Sequence, residues 1–430
     1  MNIQPSLSEQ IRQQLIKALH VVDPHAAVHI KRTSLGWIHL FVETAIFEER
    51  TLVEREGLID EILSALDLNL GRYPFANYEL LTSEEIVSPP ASPIQLPLWS
   101  EILMAPDSDQ PVPLDEGGDK RPFVVTFYSF KGGVGRTTAL ALVAGLLAAK
   151  GRKVAILDFD LEAPGLSYMF PSSTAMTEEQ YGVLDYLHQR YLTPSENYPA
   201  VGQCIRQIVT SHRGELYLVP AGEYDEGYIH RLTDLDVRLL YQRDVNPIYQ
   251  LLDDLKEQLD PDIILVDART GFTETGAVAL FDLADLAIIC FSPTEQSFAG
   301  LRWVVQAARK QRDYRGKPDL RFLLTPMPSV DPSVQRDVVV KTEEWIAEHW
   351  GEPLAVTPNE LYYQVSYNPA ITMLNNAVDN VPPGLLEPYQ PVAAAIDASL
   401  PEIRRNITAL QVADSRQSLL NNLVFRVAVA

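Results

Sequence analysis

A glycine-rich stretch in the first third of the chain combines residue types that suit the binding of a phosphate group. It consists of Lys131, Gly132, Gly133, Val134, Gly135, Arg136, Thr137 and Thr138. Glycines have no Cβ, so the backbone around them can curl and direct several N–H groups at one anion. The hydroxyl of Thr137 stands where it would ligate a Mg²⁺ that bridges the β- and γ-phosphates of a nucleotide. We therefore predict that residues 132–138 bind a nucleotide together with Mg²⁺.

The segments on either side of this stretch are those that a phosphate-binding loop requires. A β-branched and aromatic run, residues 124–128, precedes it, and an alanine- and leucine-rich segment, residues 139–150, follows it. The sequence thus predicts strand, loop and helix in that order, with the positive end of the helix dipole at the anion. The alternative is a glycine-rich turn that binds nothing, and the flanking elements disfavour it.

Carboxylates at the ends of two further apolar runs complete the predicted site. Asp158 and Asp160 lie at the end of the run 153–158, and Asp267 ends the run 262–267. Unbroken apolar strands are buried on both faces, as in a parallel sheet covered by helices, and ligands bind at the carboxyl ends of such strands. Asp267 is the candidate for holding a magnesium-bound water. The alternative for the first two carboxylates is that they cap the following turn.

The glycine-rich stretch departs at two positions from the general pattern G-x-x-x-x-G-K-[ST]. Phe130 stands in place of the first glycine, and Arg136 in place of the lysine. The run from Lys131 to Thr138 nevertheless closely resembles the deviant Walker A loop of the ParA/MinD family of dimerising ATPases. The resemblance implies an α/β fold with a mostly parallel sheet flanked by helices. It also implies ATP and Mg²⁺ as cofactors, and a catalytic Lys131 that reaches the nucleotide of the partner subunit.

Further roles follow from the same resemblance. Asp160 is implied to orient or deprotonate the attacking water, and Asp158 to support the magnesium shell. The N–H of Gly271 is implied to bond the γ-phosphate and so to report its hydrolysis. The adenine pocket is expected around Pro326 and around a later turn, residues 366–369.

Two arginines near the predicted site leave alternatives open. Arginine is larger than lysine and planar, so with Arg136 we expect nucleotide binding to survive with slow hydrolysis. Arg269 stands where the family usually has a small residue or proline. The alternatives for Arg269 are a contact with phosphate, a contact with the other subunit, or pairing with an acidic neighbour.

Composition limits the partners of this protein. Its 430 residues allow two or three domains, and the net charge of −22 opposes coating of bulk DNA. Two cysteines, Cys204 and Cys290, give no disulfide framework, which fits a reducing cytoplasm. Relatives that carry iron–sulfur clusters need two nearby cysteines after the nucleotide site, and this sequence does not have them.

We expect neither a secretory leader nor a membrane anchor. Residues 1–10 lack the charged and apolar regions of a signal peptide, and no apolar run is long enough to span a bilayer. MinD proteins bind membranes through a terminal amphipathic helix. The tail, residues 410–430, carries Arg416 and Arg426 as its positive charges, so docking against protein is favoured over membrane binding.

The chain is predicted to contain three regions. Residues 1–86 show the order α-β-β-α-β of a small α+β domain, and they resemble the BolA/KH-like fold through Phe47 and the stretch 51–56. We interpret this region as a docking module for a protein partner. A proline-rich linker, residues 87–120, follows, and its apolar stretch 96–104 is expected to pack on one of the domains.

The ATPase domain is predicted over residues 121–430, with a helical insertion near residues 177–213. Helices are expected there around residues 181–191 and 198–209.

Two classes of function fit these features. The first is an ATP-dependent switch that dimerises around Mg-ATP, hydrolyses it slowly and thereby positions or gates a partner. The second is a scaffold or regulatory subunit that binds nucleotide without hydrolysing it, for example in a bacterial defence or signalling assembly. A third reading, a bacterial tyrosine kinase on the same core, is disfavoured because the chain has no tyrosine-rich tail.

Overall fold

The chain divides into two structural units, Met1–Pro93 and Ile94–Ala430. The computed structural model describes residues 7–32, 38–48, 50–65, 75–82, 97–104, 122–170, 181–192, 199–241, 246–315, 317–350, 361–374, 376–377 and 381–400. The predictions for the tail 410–430 and for most of the linker 87–120 lie outside these residues. The helix Trp99–Met104 falls within the second unit, so the division lies earlier than the predicted end of the linker at residue 120.

The first unit has the predicted order α-β-β-α-β. Its elements are α1 (Leu7–Leu19), β1 (Ala27–Arg32), β2 (Ile38–Glu43), α2 (Leu52–Ala65) and β3 (Phe75–Leu81). β1 pairs with β2 in antiparallel fashion, and β2 pairs with β3 in parallel. Apolar residues of α1 and α2, spaced to lie on one helix face, pack on this sheet, and Ile11, Leu15 and Ile59 are fully buried. The prediction of a small α+β fold is confirmed.

The residues that carry the BolA/KH resemblance serve the internal packing of this unit. Phe47 is fully buried, and Thr51 and Glu54 bond each other at the start of α2. The buried Arg55 donates to the carbonyl of Leu80 at 2.8 Å and to that of Arg50 at 3.0 Å. The predicted docking role of the unit stays a prediction.

An eight-stranded sheet forms the centre of the second unit. Its strands are β4 (Phe123–Tyr128), β5 (Lys153–Phe159), β6 (Arg206–Ile208), β7 (Glu215–Val219), β8 (Ile263–Ala268), β9 (Leu286–Phe291), β10 (Asp319–Met327) and β11 (Tyr362–Ser366). Their order is β11-β10-β9-β4-β8-β5-β7-β6, and all neighbours pair in parallel except β6 with β7. The strand β4, which leads into the glycine-rich loop, therefore lies between β9 and β8 in the middle of the sheet.

Helices cover both faces of this sheet. They are α3 (Trp99–Met104), α4 (Arg136–Ala149), α5 (Val183–Leu192), α6 (Val201–Cys204), α7 (Glu226–Asp234), α8 (Val237–Leu240), α9 (Pro247–Leu259), α10 (Glu274–Ala277), α11 (Glu295–Arg315), α12 (Pro332–His349), α13 (Pro383–Leu386) and α14 (Gln390–Ser399). Residues of β4 alternate between two cores: Val125 and Phe127 pack with α4 and α14, whereas Val124 and Tyr128 pack with α5, α9 and α11. The predicted mostly parallel sheet between helices is confirmed.

The region predicted as a helical insertion is only partly helical. α5 matches the expected helix around residues 181–191, and its buried side chains join the core beside α9. The expected helix over residues 198–209 is wrong beyond Cys204, because Ile205 is extended and residues 206–208 form the edge strand β6. Pairing with β7 there overrides the helical pattern.

Within the described ranges, no helix combines the length and the apolar character that crossing a membrane requires.

Candidate functional site

The glycine-rich stretch forms a turn that leads from the end of β4 into α4. Gly133 and Gly135 have φ angles of 76° and 78°, a region in which a Cβ would clash with the backbone. Val134 between them is buried, and Gly132 is exposed. α4 begins at Arg136, so the turn passes directly into a helix N-terminus, the end that attracts anions.

Neighbouring strands bring the predicted metal ligands together. β5 and β8 pair in parallel with Asp158 opposite Asp267, and both side chains are fully buried. The Thr137 hydroxyl, in the first turn of α4, donates to Oδ2 of Asp267 at 2.6 Å. Thr138 follows it half-buried. The structure thus places Thr137, Asp158 and Asp267 at one end of the sheet, as the sequence predicts.

Arg136 lies across two of these acidic residues. Its Nε donates to Oδ1 of Asp267 at 2.5 Å, and its Nη2 donates to Oδ2 of Asp160 at 2.7 Å. The arginine side chain is 7% exposed, and the partner carboxylates are 0% and 6% exposed. The residue predicted to contact nucleotide therefore forms a buried, two-armed ion pair with the acidic residues of the same site.

Burial and neighbouring charges both shift the pKa values of groups in this site. Burial and the nearby carboxylate of Asp267 raise the pKa of Asp158 well above its ordinary value. Burial also raises the pKa of Asp267, although Arg136 and the Thr137 hydroxyl oppose the shift. Burial lowers the pKa of the Arg136 guanidinium, but the facing carboxylates outweigh this and raise it overall. Asp158 is thus the carboxyl group that most favours the protonated form.

Of the alternatives for Arg269, the structure shows pairing with acidic neighbours. Its Nη1 donates to Oδ1 of Asp160 at 3.0 Å, and its Nε lies 3.5 Å from a carboxylate oxygen of Glu162. Asp160, predicted to position water, therefore holds one guanidinium on each of its two oxygens.

Lys131 lies at the outer side of the loop. Its Nζ donates to Oε1 of Gln296 at 2.8 Å, in an exposed contact with the first turn of α11. The ring of the preceding Phe130 lies over Gly300 of the same helix, where an added Cβ would come within 2.1 Å of the ring. The first residues of α11 therefore pack on the start of the loop.

The segment after β8 is tied to β4. Gly271 has a φ of 75°, its N–H donates to the Ser129 carbonyl at 3.3 Å, and its carbonyl accepts from the Tyr128 hydroxyl at 2.9 Å. The next residue, Phe272, contacts the rings of Phe130 and Trp99, with centroids 5.0 and 4.9 Å apart. The predicted switch glycine is therefore held next to the phosphate-binding loop.

The residues predicted for the adenine pocket lie at the ends of β10 and β11. Pro326 is half-buried within β10, directly after Thr325, whose Oγ1 lies 3.6 Å from the place of a Cβ on Gly135. The N–H of Tyr367 donates to the Met327 carbonyl at 2.8 Å, so the two predicted segments adjoin. Contact with a base remains a prediction.

The residues present fit a magnesium ion by the chemistry of their donors. Hydroxyl and carboxylate oxygens are the ligands that Mg²⁺ prefers, and Thr137 and Asp267 supply one of each, 2.6 Å apart. Oδ1 of Asp158 is buried with no hydrogen-bond partner in the described part of the chain, and its other oxygen accepts from the Leu166 N–H at 3.2 Å. Thr137 and Asp267 are the residues that would hold the ion.

The fold and the site together define a nucleotide-binding domain of the P-loop class, with a parallel sheet, a glycine-rich loop after a central strand, and acidic residues on the adjacent strands. Residues 125–290 match the family described as CobQ/CobB/MinD/ParA nucleotide binding domain. The chain therefore carries a nucleotide-binding domain of the ParA/MinD type.

Curated relatives match a stretch of similar length. The septum site-determining protein MinD of Escherichia coli K12 is 30% identical over 175 residues, which cover 40% of this chain and 54% of that protein. An uncharacterized ATP-binding protein of Methanocaldococcus jannaschii is 26% identical over 172 residues, which cover 40% and 53%. This chain spans about half the length of the curated relatives it matches.

Solved structures of similar fold include MinD of Pyrococcus horikoshii in complex with Mg-ADP. It is 18% identical, with a TM-score of 0.44, over 66% of this chain and 98% of that one. A Cyanothece McdA–ATP complex is 14% identical, with a TM-score of 0.46, over 64% and 97%. At these scores neither likeness carries a functional conclusion.

Sequence reasoning missed several residues that hold the site in place. Glu162 and Gln296 pair with Arg269 and Lys131, and Tyr128 bonds the carbonyl of the switch glycine. The acidic run after β5 was the available signal for Glu162. No local pattern links residue 296 to residue 131, because that contact depends on the placement of α11.

Proposed function

We propose that this protein is an ATP-dependent molecular switch. It binds ATP with Mg²⁺ at the glycine-rich loop, two copies close around the nucleotide, and slow hydrolysis opens them again. In this cycle the protein positions or gates a partner that the N-terminal unit recruits. The acidic net charge argues against bulk DNA as that partner.

One observation carries the nucleotide-binding part of the proposal. The turn between β4 and α4 lies directly beside the Thr137–Asp267 pair, which supports the binding of phosphate and metal at one end of the sheet. Bound Mg²⁺ would neutralise phosphate charge there and hold an ordered water. A left-handed glycine turn beside buried carboxylates is the combination that binding of a nucleotide with Mg²⁺ requires.

Dimerisation is supported by the position of Lys131. Its ammonium is on the exposed side of the loop, and its bond to the uncharged amide oxygen of Gln296 is exposed to water, so it contributes little. Exchanging that bond for a phosphate of a second subunit gains a contact between opposite charges. The lysine is therefore free to serve the facing copy at little cost to its own.

The scaffold alternative is favoured by a different observation. Both oxygens of Asp160 are bound by guanidinium groups, from Arg136 and from Arg269. A carboxylate whose two oxygens already accept hydrogen bonds from guanidinium groups is hindered from binding and orienting an attacking water. If these pairs persist when nucleotide is bound, the protein binds ATP without turning it over.

Phosphate release and molar mass, measured on the same samples, test the proposal. We expect wild type to release phosphate slowly and to double its molar mass in light scattering with ATP and Mg²⁺. Lys131→Ala should still bind ATP and stay monomeric, whereas Asp160→Ala should lose turnover and remain dimeric.

Lys150→Ala is the matched control, because Lys150 is a half-exposed lysine that pairs with Asp397 away from the loop. It should behave as wild type does. Nucleotide-dependent doubling of mass without any phosphate release would select the scaffold. Absence of ATP binding to wild type would reject both functions.

A further inference from the structure

Arg136 occupies the place in this site where a divalent cation would supply positive charge. Its guanidinium spans from Oδ1 of Asp267 to Oδ2 of Asp160, at 2.5 and 2.7 Å. Asp267 is also the acidic partner of Thr137, which is the hydroxyl that would ligate Mg²⁺. Arg136 thus holds one oxygen of Asp267 and the Thr137 hydroxyl holds the other, so a metal ion at Asp267 competes with both.

Both carboxylates that Arg136 bridges are already paired with guanidinium groups. Asp267 is paired with Arg136, and Asp160 with both Arg136 and Arg269. Arg269 in turn lies 3.5 Å from a carboxylate oxygen of Glu162. Over the described ranges, no three His, Cys, Asp or Glu side chains are grouped so that they could hold a metal ion. A free divalent cation therefore competes with a guanidinium group for either carboxylate.

The guanidinium also has an unused donor. Nη1 of Arg136 is buried and has no hydrogen-bond partner among the described residues. An unsatisfied charged donor at this depth is costly, and a phosphate oxygen is the acceptor that arginine forks bind best. This unpaired donor is a second observation that points to a phosphate ligand at Arg136.

We propose that Arg136 is a resident counter-charge that excludes free Mg²⁺ from Asp267 and Asp160 until the phosphates of a nucleotide draw it away. Metal then enters only together with ATP. A lysine at this position has a single ammonium and cannot bridge both carboxylates with a planar fork. The inference rests on the proposed function, since it assumes that the loop binds a nucleoside triphosphate.

Titration of the full chain with Mn²⁺ alone, with the free ion followed by its electron paramagnetic resonance signal, tests the exclusion. We expect wild type to bind no Mn²⁺ at this site below about 1 mM, and Arg136→Ala to bind one ion at least about tenfold more tightly. Arg136→Lys retains a positive charge and should bind Mn²⁺ with intermediate strength, which keeps the test valid if the alanine variant does not fold. Addition of ATP to wild type should bring Mn²⁺ binding to the level of the alanine variant.

The matched control is Arg152→Ala, which removes another buried arginine, one that pairs with Asp397 outside the site at 2.7 Å. It should gain no Mn²⁺ binding. Wild type that binds Mn²⁺ alone as tightly as Arg136→Ala, or variants of Arg136 that gain nothing, would overturn the inference. Failure of wild type to bind ATP, measured by equilibrium dialysis with and without Mn²⁺, would instead overturn the proposed function.

Discussion

The packing of Trp99 predicts that the helix α3, which precedes β4 in sequence, stabilises the second unit. Trp99 is 8% exposed, and its ring lies 4.7 Å from that of Phe281 and 4.9 Å from that of Phe272. Its Nε1 donates to the Thr273 carbonyl at 2.9 Å. The tryptophan therefore fixes α3 to the segment that follows β8.

Truncation of the Trp99 side chain should lower the free energy of unfolding strongly. Replacing a buried tryptophan by alanine costs about 3–5 kcal/mol, and the lost hydrogen bond accounts for about 1 kcal/mol within that range. We therefore expect Trp99→Ala to lower the free energy of unfolding of the second unit by about 4 kcal/mol. Trp99→Phe keeps the ring contacts and loses the N–H, so about 1–2 kcal/mol is expected.

Guanidinium chloride titration followed by far-UV circular dichroism measures the loss. At a slope of roughly 4 kcal/mol/M, the alanine variant should unfold about 1 M earlier than wild type. Trp303→Ala is the control, because Trp303 is 47% exposed in α11 and its removal should cost within about 0.5 kcal/mol. Equal midpoints for Trp99→Ala and Trp303→Ala would refute the packing of α3 on this unit.

Three further predictions concern thiols, pH and backbone space. Burial raises the pKa of Cys204 to about 12 and also raises the pKa of Cys290. A disulfide reagent at about pH 8 should therefore label neither thiol in the native protein and both in the unfolded chain. Labelling of the native protein would contradict the burial of the two thiols. The raised pKa of Asp158 means that the folded state binds this proton more tightly than the unfolded chain, and stability falls as pH rises above the ordinary carboxyl value. Asp158→Asn should therefore narrow the difference in unfolding free energy between about pH 5 and about pH 8, and an unchanged difference would show that this carboxyl does not titrate as stated. A Cβ on Gly182 would lie 2.3 Å from the Pro220 carbonyl oxygen, so Gly182→Ala should lower the melting temperature by several degrees, whereas Gly384→Ala, with open space around it, should leave it unchanged.

Periodicity and strand burial allowed much of the fold to be predicted. The runs before residues 158 and 267 are almost entirely apolar, and a parallel sheet covered by helices on both faces buries such strands, so a mostly parallel sheet was predicted. The order of the strands was not predicted. The acidic residues at their ends were placed in the site for the same reason. The edge strand β6 was missed because its pairing with β7 is set by a neighbour in space and leaves no alternating pattern in three residues.

The side-chain contacts within the site could not be predicted from the sequence. The type of residue 136 indicated a departure from the lysine pattern, but not that its fork would reach Asp160, 24 positions away, and Asp267, 131 positions away. The partner of Arg269 was likewise one of several open alternatives. Such contacts depend on which strands are neighbours and on which rotamer satisfies the most buried charge.

The contact between Phe130 and Gly300 ties together two positions 170 residues apart in the chain. The ring fills the space that a side chain at 300 would need, so an alanine there meets ring atoms at 2.1 Å. A glycine at position 130 would leave room for a larger residue at position 300, so we expect the two positions to co-vary across homologues. Transplanting the loop of this protein into another ATPase would therefore demand that the facing helix be changed with it.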